Sequence, residues 1–346
     1  MLIRHQSNHH VAYAVVASLL SCLATGTFAQ DKVKLKFADW MPTSHYTVKQ
    51  AAHPFMDKAK ELSKGRIEFD YFPAEQLGKA KDLLTLLQSG AVDIVNISPA
   101  YMSDKLPLSS VAELPAMFNT ACQGSNAYAT LVRDGGILAN QEFKPYGARI
   151  LVSVAYAPYK VITTNRKVES VADFAGLKLR TAGGAMDMTS SKLGAISVRM
   201  PGPDILTSMT RGTLDGSLVP LQSVKVFDIQ TVAKYMTTDV SLGSFITVYA
   251  VSDRAWSRLP PDLKAALSQA GIYANKTHCA YVDGQEPKVI AELEKDGVKG
   301  NTMAAGQLTA LNEQLAGVAA DWAAGLDKRN RPGSAVLAEF RKSVAP

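Results

Sequence analysis

The chain has 346 residues, of which 47% are hydrophobic and 20% charged. That is enough apolar material for a large core in about two domains, and it excludes intrinsic disorder and a collagen repeat. Three cysteines are too few for a disulfide-dense scaffold, and a net charge of +6 without a basic stripe argues against a nucleic-acid partner.

The N-terminus reads as an export signal. Arg4 precedes an apolar stretch from Val11 to Leu23, then small residues, then Gln30 and Asp31. A basic start, a short apolar run and a small-x-small site are the marks of a secretory signal. The pattern predicts a signal peptide over 1–29, cut after Ala29, with Thr27 and Ala29 as the small residues. The run falls short of the about 20 apolar residues that a membrane span needs. Leu19-Leu20-Ser21-Cys22 is an imperfect lipoprotein box, and the apolar run continues past it. Export would leave two cysteines, Cys122 and Cys279. An oxidising compartment permits them to pair. The reading favours two separate buried thiols, because free Cys packs as a small hydrophobe.

Beyond the signal, strand and helix patterns alternate. Lys32 to Phe37 alternates Lys with Val33, Leu35 and Phe37, the period of a strand. A helical stretch near 47–63 follows, with Pro54 forcing a kink or a late start. Ile67, Phe69 and Tyr71 alternate as a second strand. Lys79 to Ser89 is an amphipathic helix closed by Gly90, and Val92 to Ile97 is a short apolar strand. Further strands are expected at Ala148–Val154, Tyr159–Thr163, Lys178–Arg180, Asp215–Leu218 and Ser244–Val251. Ser170 to Asp173 has the form of a capped turn, and Pro203 to Arg211 of a helix with Pro at its start. A long helical region is expected from Asp262 to Lys295, with helices near 307–325 and 334–342. Alternating βα units imply α/β domains with mainly parallel sheets. With no flexible linker in sight, the chain should cross between domains on strands.

Chemistry-bearing motifs are scarce. Outside the signal the histidines are His45, His53 and His278, without metal-ligand spacing. There is no nucleophile elbow, P-loop, H-E-x-x-H or C-x-x-C. No catalytic residue, metal or cofactor is therefore expected. Gly183-Gly184, after a strand, is either an anion cradle at a helix start or a tight turn.

Several stretches, in order, resemble the solute-binding proteins of tripartite ATP-independent periplasmic (TRAP) transporters, the DctP family. They are Phe37-Ala38-Asp39-Trp40, Gly65-Arg66-Ile67, Phe72 to Gly78, Leu86 to Ile94 and Glu113-Leu114-Pro115. Asn165-Arg166 with Asp173 to Arg180 follows, then Arg211 to Gly216 and Trp256 to Pro260. The resemblance implies an α/β, two-lobed periplasmic-binding-protein-like fold with mixed or parallel sheets, hinge strands and a long helix spanning both lobes. It implies a lobe I of 31–156 plus 246–285 and a lobe II of 157–245 plus 286–346. It further implies a periplasmic, monomeric protein that captures a small organic acid and hands it to the membrane subunits of a TRAP permease.

The resemblance also supplies a site. Arg180 ends the Gly-Leu-Lys-x-Arg strand and would clamp the ligand carboxylate, because a planar guanidinium matches a carboxylate fork and keeps its charge. Lys160 stands where some relatives carry a second Arg, and could give a point charge or be solvated. Val219 replaces an amide that many relatives carry there. Trp40, Ser98 and Tyr101 fall where relatives place polar contacts, and Tyr159 and Tyr156 lie near the hinge. One strong clamp and an aromatic wall favour a monocarboxylate with an apolar or aromatic body. A dicarboxylate or 2-oxo acid receptor, a binding protein of an ATP-driven importer, and a two-lobed small-acid enzyme are the alternatives.

Overall fold

In the computed structural model, residues 1–2 and 32–344 are described. The expected signal at 1–29 therefore lies, apart from Met1 and Leu2, outside the described residues. Among the described residues no helix is long and apolar enough to cross a membrane.

The strands, in chain order, are β1 (Val33–Ala38), β2 (Ile67–Phe72), β3 (Ile94–Ile97), β4 (Ala148–Ala155), β5 (Lys160–Thr163), β6 (Lys178–Thr181), β7 (Ile196–Arg199), β8 (Gly216–Val219), β9 (Tyr235–Thr237), β10 (Ile246–Ser252) and β11 (Lys299–Asn301). They form two sheets, in the orders β2-β1-β3-β10-β4 and β11-β9-β5-β8-β6-β7. β1 runs parallel to β2 and β3, while β10 runs antiparallel to β3 and β4. In the second sheet β6 is parallel to β7 and β8, and β5 is antiparallel to β8 and β9. This is the α/β architecture that the alternation implied.

Burial follows the pattern of each strand. In β1, Leu35 and Phe37 are buried while Lys34 and Lys36 are exposed. β3 and β10 are buried at every residue, because helices or neighbouring segments cover both faces. Phe37 anchors the first core, against Phe55 at 6.3 Å and Tyr249 at 5.1 Å between ring centroids.

The chain passes between the sheets twice on extended backbone. The two passages bind one another: Tyr156 N donates to Phe245 O and Tyr159 N to Gly243 O, at 3.0 and 2.8 Å, and Leu242 N to Tyr159 O at 3.0 Å. A third passage comes where the expected long helical region divides. It is two helices, Pro261–Asp283 and Glu286–Lys295, parted at Gly284 and Gln285. Pro287 lies in the first turn of the second helix, where its missing N–H costs nothing, but it cannot continue the first. Pro54 acts similarly: the α-helix starts at His53, after a wider turn over Val48–Ala52. The region near 307–325 also divides, into Ala305–Leu315 and Val318–Asp327. The last helix, Gly333–Val344, packs against Ala121–Val132.

Helix Ala121–Val132 has no counterpart in the expected elements. Gly124, Ser125 and Asn126 are weak helix formers, which hides it from a propensity reading. Gly124 is required by packing, since a Cβ there would sit 2.5 Å from Phe118 and 2.8 Å from Ala155. The helix starts at a Thr120–Gln123 capping box. The carboxylate of Asp283, from the end of Pro261–Asp283, accepts the N–H groups of Ala121 and Cys122.

At that junction Cys122 and Cys279 form a disulfide, with Cα atoms 4.7 Å apart. The expectation of separate thiols is thus corrected. Asp283 docks the two helices, and that contact sets the cysteines within bonding distance. The bond closes a loop across 157 residues of sequence, and a loop of that length restricts the unfolded chain strongly. Replacing both cysteines by Ser should lower the unfolding free energy by about 2–5 kcal/mol. Denaturant titration of the oxidised parent and the variant measures this, and equal midpoints would show that the bond does not stabilise the fold.

Candidate functional site

Arg180 is the third residue of β6. Lys178 points to solvent and Leu179 into the core, and Arg180 is 2% exposed. Its side chain is held by neutral oxygens. Nε donates to Met200 O at 2.9 Å, one Nη to Leu218 O at 3.3 Å and the other to the Tyr101 hydroxyl at 3.3 Å. Three of its five N–H donors are used, so two remain. Arg180 takes part in none of the ion pairs among the described residues.

The first sheet brings Trp40 and Tyr101 to the same place. Trp40 follows the end of β1, where Asp39 is fully buried. The Asp39 carboxylate accepts from Met41 N, Asn96 Nδ2 and the Tyr71 hydroxyl at 2.9, 2.8 and 3.0 Å. Asn96 in turn accepts from Thr247, so β1, β3 and β10 are tied together directly beneath Trp40. Burial raises the Asp39 carboxyl to about 6, against those hydrogen bonds. Tyr101 sits on the short helix Pro99–Met102 and meets Trp40 edge to face at 5.4 Å. Its hydroxyl accepts from Arg180 and from Gly202 N, at 3.1 Å for the latter, so Tyr101 reaches from the first sheet's side to the second's.

These residues surround a small cavity whose wall is mostly rings. Trp40, Tyr101, Tyr156, Tyr159, Phe227 and Phe245 line it, with His45, Ser223, Val219 and Arg180. The remaining space is about 20 Å³, roughly one water molecule's room. Of the seven candidate residues from the sequence, Arg180, Trp40, Tyr101, Val219 and Tyr159 come together here, joined by Tyr156. Lys160 and Ser98 do not line the cavity. The buried Lys160 ammonium lies 3.1 Å from Glu286 and donates to Val240 O at 2.9 Å. Ser98 caps the turn that carries Tyr101, its carbonyl accepting Tyr101 N at 3.0 Å. Gly183-Gly184 is a close-approach turn: a Cβ at Gly183 would meet Ala100 O at 2.6 Å and one at Gly184 would meet Glu113 at 2.6 Å.

His45, Ser223, Phe227 and Phe245 were not singled out from the sequence. Phe245 was readable in part, as the first ring of the strong β10 run. His45 and Phe227 sit in loops without periodicity, and only the folded chain brings them together, tilted with ring centroids 5.6 Å apart.

With this geometry in place, known proteins give a consistent comparison. Residues 37–325 match the family described as bacterial extracellular solute-binding protein, family 7 (DctP). The 2,3-diketo-L-gulonate-binding periplasmic protein of Escherichia coli K12 is 22% identical over 293 residues, covering 84% of this chain and 86% of its own. Among solved structures, a marine-metagenome TRAP solute-binding protein specific for aromatic acid ligands, with 3-hydroxybenzoate, superposes with TM-score 0.84 at 24% identity. The match covers 91% of this chain and 98% of that one. A TRAP periplasmic solute-binding protein of Bordetella bronchiseptica with bound mandelate gives TM-score 0.81 at 23% identity, over 90% and 98% of the two chains.

Behind the cavity the aromatic cluster continues through two buried histidines. His45 stacks on Tyr46 at 4.6 Å, and Tyr46 stacks on His278 at 5.8 Å. His278 Nε2 lies 3.2 Å from Thr47 Oγ1, and that hydroxyl donates to the Tyr156 hydroxyl at 3.0 Å. Burial lowers both imidazoles to about 3, with repulsion from His278 adding to the effect at His45. Their folded values lie below the unfolded value near 6.5, so their contribution is whole above about pH 6.5. It is lost as pH falls toward 3, where the unfolded chain takes up protons that the folded chain refuses. The buried carboxyls of Asp39, raised to about 6, and Glu142, raised to about 7, act in the opposite sense between about pH 4 and 7. His278→Asn leaves those carboxyls in place. It should reduce the stability lost between pH 7 and pH 5 by about 2 kcal/mol relative to the parent. Denaturant titrations of both proteins at the two pH values test this; identical losses would contradict it.

Proposed function

We propose a function that starts from the family: the chain belongs to the bacterial extracellular solute-binding proteins of family 7, the receptors of TRAP transporters. Members of the family are binding receptors for small organic acids and work with membrane permease components. For this chain the acid is an aromatic or branched monocarboxylate, clamped by Arg180 against the ring wall. The protein acts in the periplasm as a monomer, without catalysis and without nucleic acid, and delivers the acid to a TRAP permease. Its lobes are 31–156 with 246–285 and 157–245 with 286–346, and they part at the two paired crossing segments to admit the ligand.

One observation carries this reading. Arg180 is a fully buried cation held only by neutral groups, with two donors unused, in a cavity walled by aromatic rings. A buried charge without a counter-ion is costly, and a carboxylate entering the cleft removes that cost. A planar fork binds it through two parallel hydrogen bonds. The relatives solved with 3-hydroxybenzoate and mandelate support the ring-bearing body. Each Å² of apolar ligand buried on the wall adds about 25 cal/mol, a few kcal/mol for a phenyl group. A sugar acid would leave hydroxyls unpaired there at about 1–3 kcal/mol each.

The test is a melting screen of aromatic monocarboxylates, uronates and C4-dicarboxylates at equal concentration, followed by calorimetry on Arg180→Ala. Ligands that bind only the native state raise the melting temperature. Aromatic acids should shift it most. Arg180→Ala should bind them about 30- to 5000-fold more weakly, the equivalent of 2–5 kcal/mol. Arg180→Lys should also bind poorly, since a point charge does not reproduce the fork. Near-normal affinity in folded Arg180→Ala would remove the clamp assignment. A shift with uronates alone would remove the aromatic one.

A further inference from the structure

We propose that Trp40 and His45 read a second oxygen on the ligand, so that the cleft selects aromatic monocarboxylates carrying an oxo or hydroxyl group beyond the carboxylate. This rests on the aromatic-acid reading and goes one step further, from the class of acid to a specificity device in the wall.

Trp40 is 3% exposed and lines the cavity, and its indole Nε1–H has no hydrogen-bond partner. An indole nitrogen can only donate. The neighbouring acceptors are already engaged. Asp39 is occupied by Met41, Asn96 and Tyr71, and the Tyr101 hydroxyl by Arg180 and Gly202. His45 supplies the second donor. Its Nδ1 accepts Thr47 N–H at 3.1 Å, so in the neutral ring the proton sits on Nε2. No hydrogen bond among the described residues uses that Nε2. The ring is fixed between Tyr46 at 4.6 Å and Phe227 at 5.6 Å, so it cannot turn to find a partner elsewhere.

Two unpartnered neutral donors on residues that line an aromatic cavity call for a neutral acceptor. A carbonyl or hydroxyl oxygen satisfies them. A plain aromatic acid leaves them unpaired once the cleft has expelled water, and the desolvation cost then counts against it. A second carboxylate would pair with donors but bring a second negative charge. The nearest candidate cation from the sequence, Lys160, is already matched to Glu286. A site built to hydrogen-bond a substrate oxygen discriminates against the analogue lacking it far more strongly than an apolar pocket discriminates by shape.

Calorimetry with phenylacetate, mandelate, benzoylformate, galacturonate and succinate, on the parent, Trp40→Phe and His45→Asn, tests this. Phenylalanine removes the indole N–H and keeps a ring. Asparagine keeps an acceptor for Thr47 N–H and removes the Nε2 donor. In the parent, mandelate or benzoylformate should bind about 10- to 100-fold more tightly than phenylacetate. That ratio should fall to within about threefold in one or both variants, whatever the variants do to phenylacetate itself. A parent ratio near one would overturn the inference and leave the aromatic-acid reading intact, and it needs no folded variant. A ratio retained in both folded variants would overturn the assignment to these two residues. Binding of galacturonate or succinate with none of the three aromatic acids would overturn the underlying reading, and the inference with it.

Discussion

The placement of one guanidinium organises the site. A cation 2% exposed, and in no ion pair among the described residues, is unfavourable by several kcal/mol unless something compensates. In Arg180 the compensation is partial: two backbone carbonyls and one phenol accept from it, all dipoles rather than charges. Those acceptors come from β8, from the segment after β7 and from the first sheet's side, so the orientation of the fork depends on both sheets being in place. Arg180 shares its face of β6 with exposed Lys178, so its burial comes from the segment after β7, from β8 and from Tyr101 packed around it, and these neighbours leave two donors free. On the proposed reading, an incoming anion would complete a charge pair whose positive half is already desolvated and oriented. That is the economical order, because the protein's part of the reorganisation is done during folding.

The same contact joins ligand binding to the relation between the two halves. Tyr101 reaches Arg180 and Gly202, and the Gly183-Gly184 turn lies against Ala100 and Glu113, where no Cβ would fit. Burial, with Asp187 and Glu142 nearby, pushes the Glu113 carboxyl well above the usual range, while Arg180 acts against that shift. The space left inside is far smaller than a ring-bearing acid. On the proposed reading the halves separate at the paired segments 156–159 and 242–245, which carry Tyr156, Tyr159 and Phe245 of the ring wall, so parting them also rearranges that wall. Ligand affinity then contains the difference between the parted and joined arrangements, and residues that never touch the acid contribute to it.

Much of this was legible in the sequence, and the exceptions share a cause. Strands β1, β3, β6, β8 and β10 announce themselves by alternation or by continuous apolar runs. Arg180, Tyr101, Trp40, Val219 and Tyr159, which the resemblance supplied, line one cavity. Lys160 looked free because its partner, Glu286, lies in another segment, and Ser98 acts through the turn it caps. The disulfide, which the sequence permitted but did not favour, was undecided for the same reason, since the two cysteines lie on helices distant in sequence that meet at Asp283. Strands β9 and β11, three residues each, carry no period to read, and β7 lies at a sheet edge. Helix Ala121–Val132 hides behind Gly124, a residue chosen for close packing rather than for helix propensity. The division at Pro287 was present in the sequence, but the expectation of one long helix overrode it.

The wall explains why charge alone does not define the ligand. Arg180 would attract any carboxylate, and at the edge of a closed cleft it would do so with little discrimination. Six rings around it change what the rest of the ligand must be, because each polar group brought against them needs a partner that the rings do not supply. Tyr101 and Trp40 are the pivotal pair. Tyr101 commits its hydroxyl to the clamp and leaves its ring to the wall, whereas Trp40 leaves its only polar atom unspent. Val219, opposite Lys160 in the β5–β8 register, presents an aliphatic group at the point where the strand turns toward Pro220 and Ser223. Affinity in such a site comes from the single charge pair and the apolar area. On the proposed reading selectivity comes from the few donors left over, and these are the positions at which the same fold would be redirected from one organic acid to another.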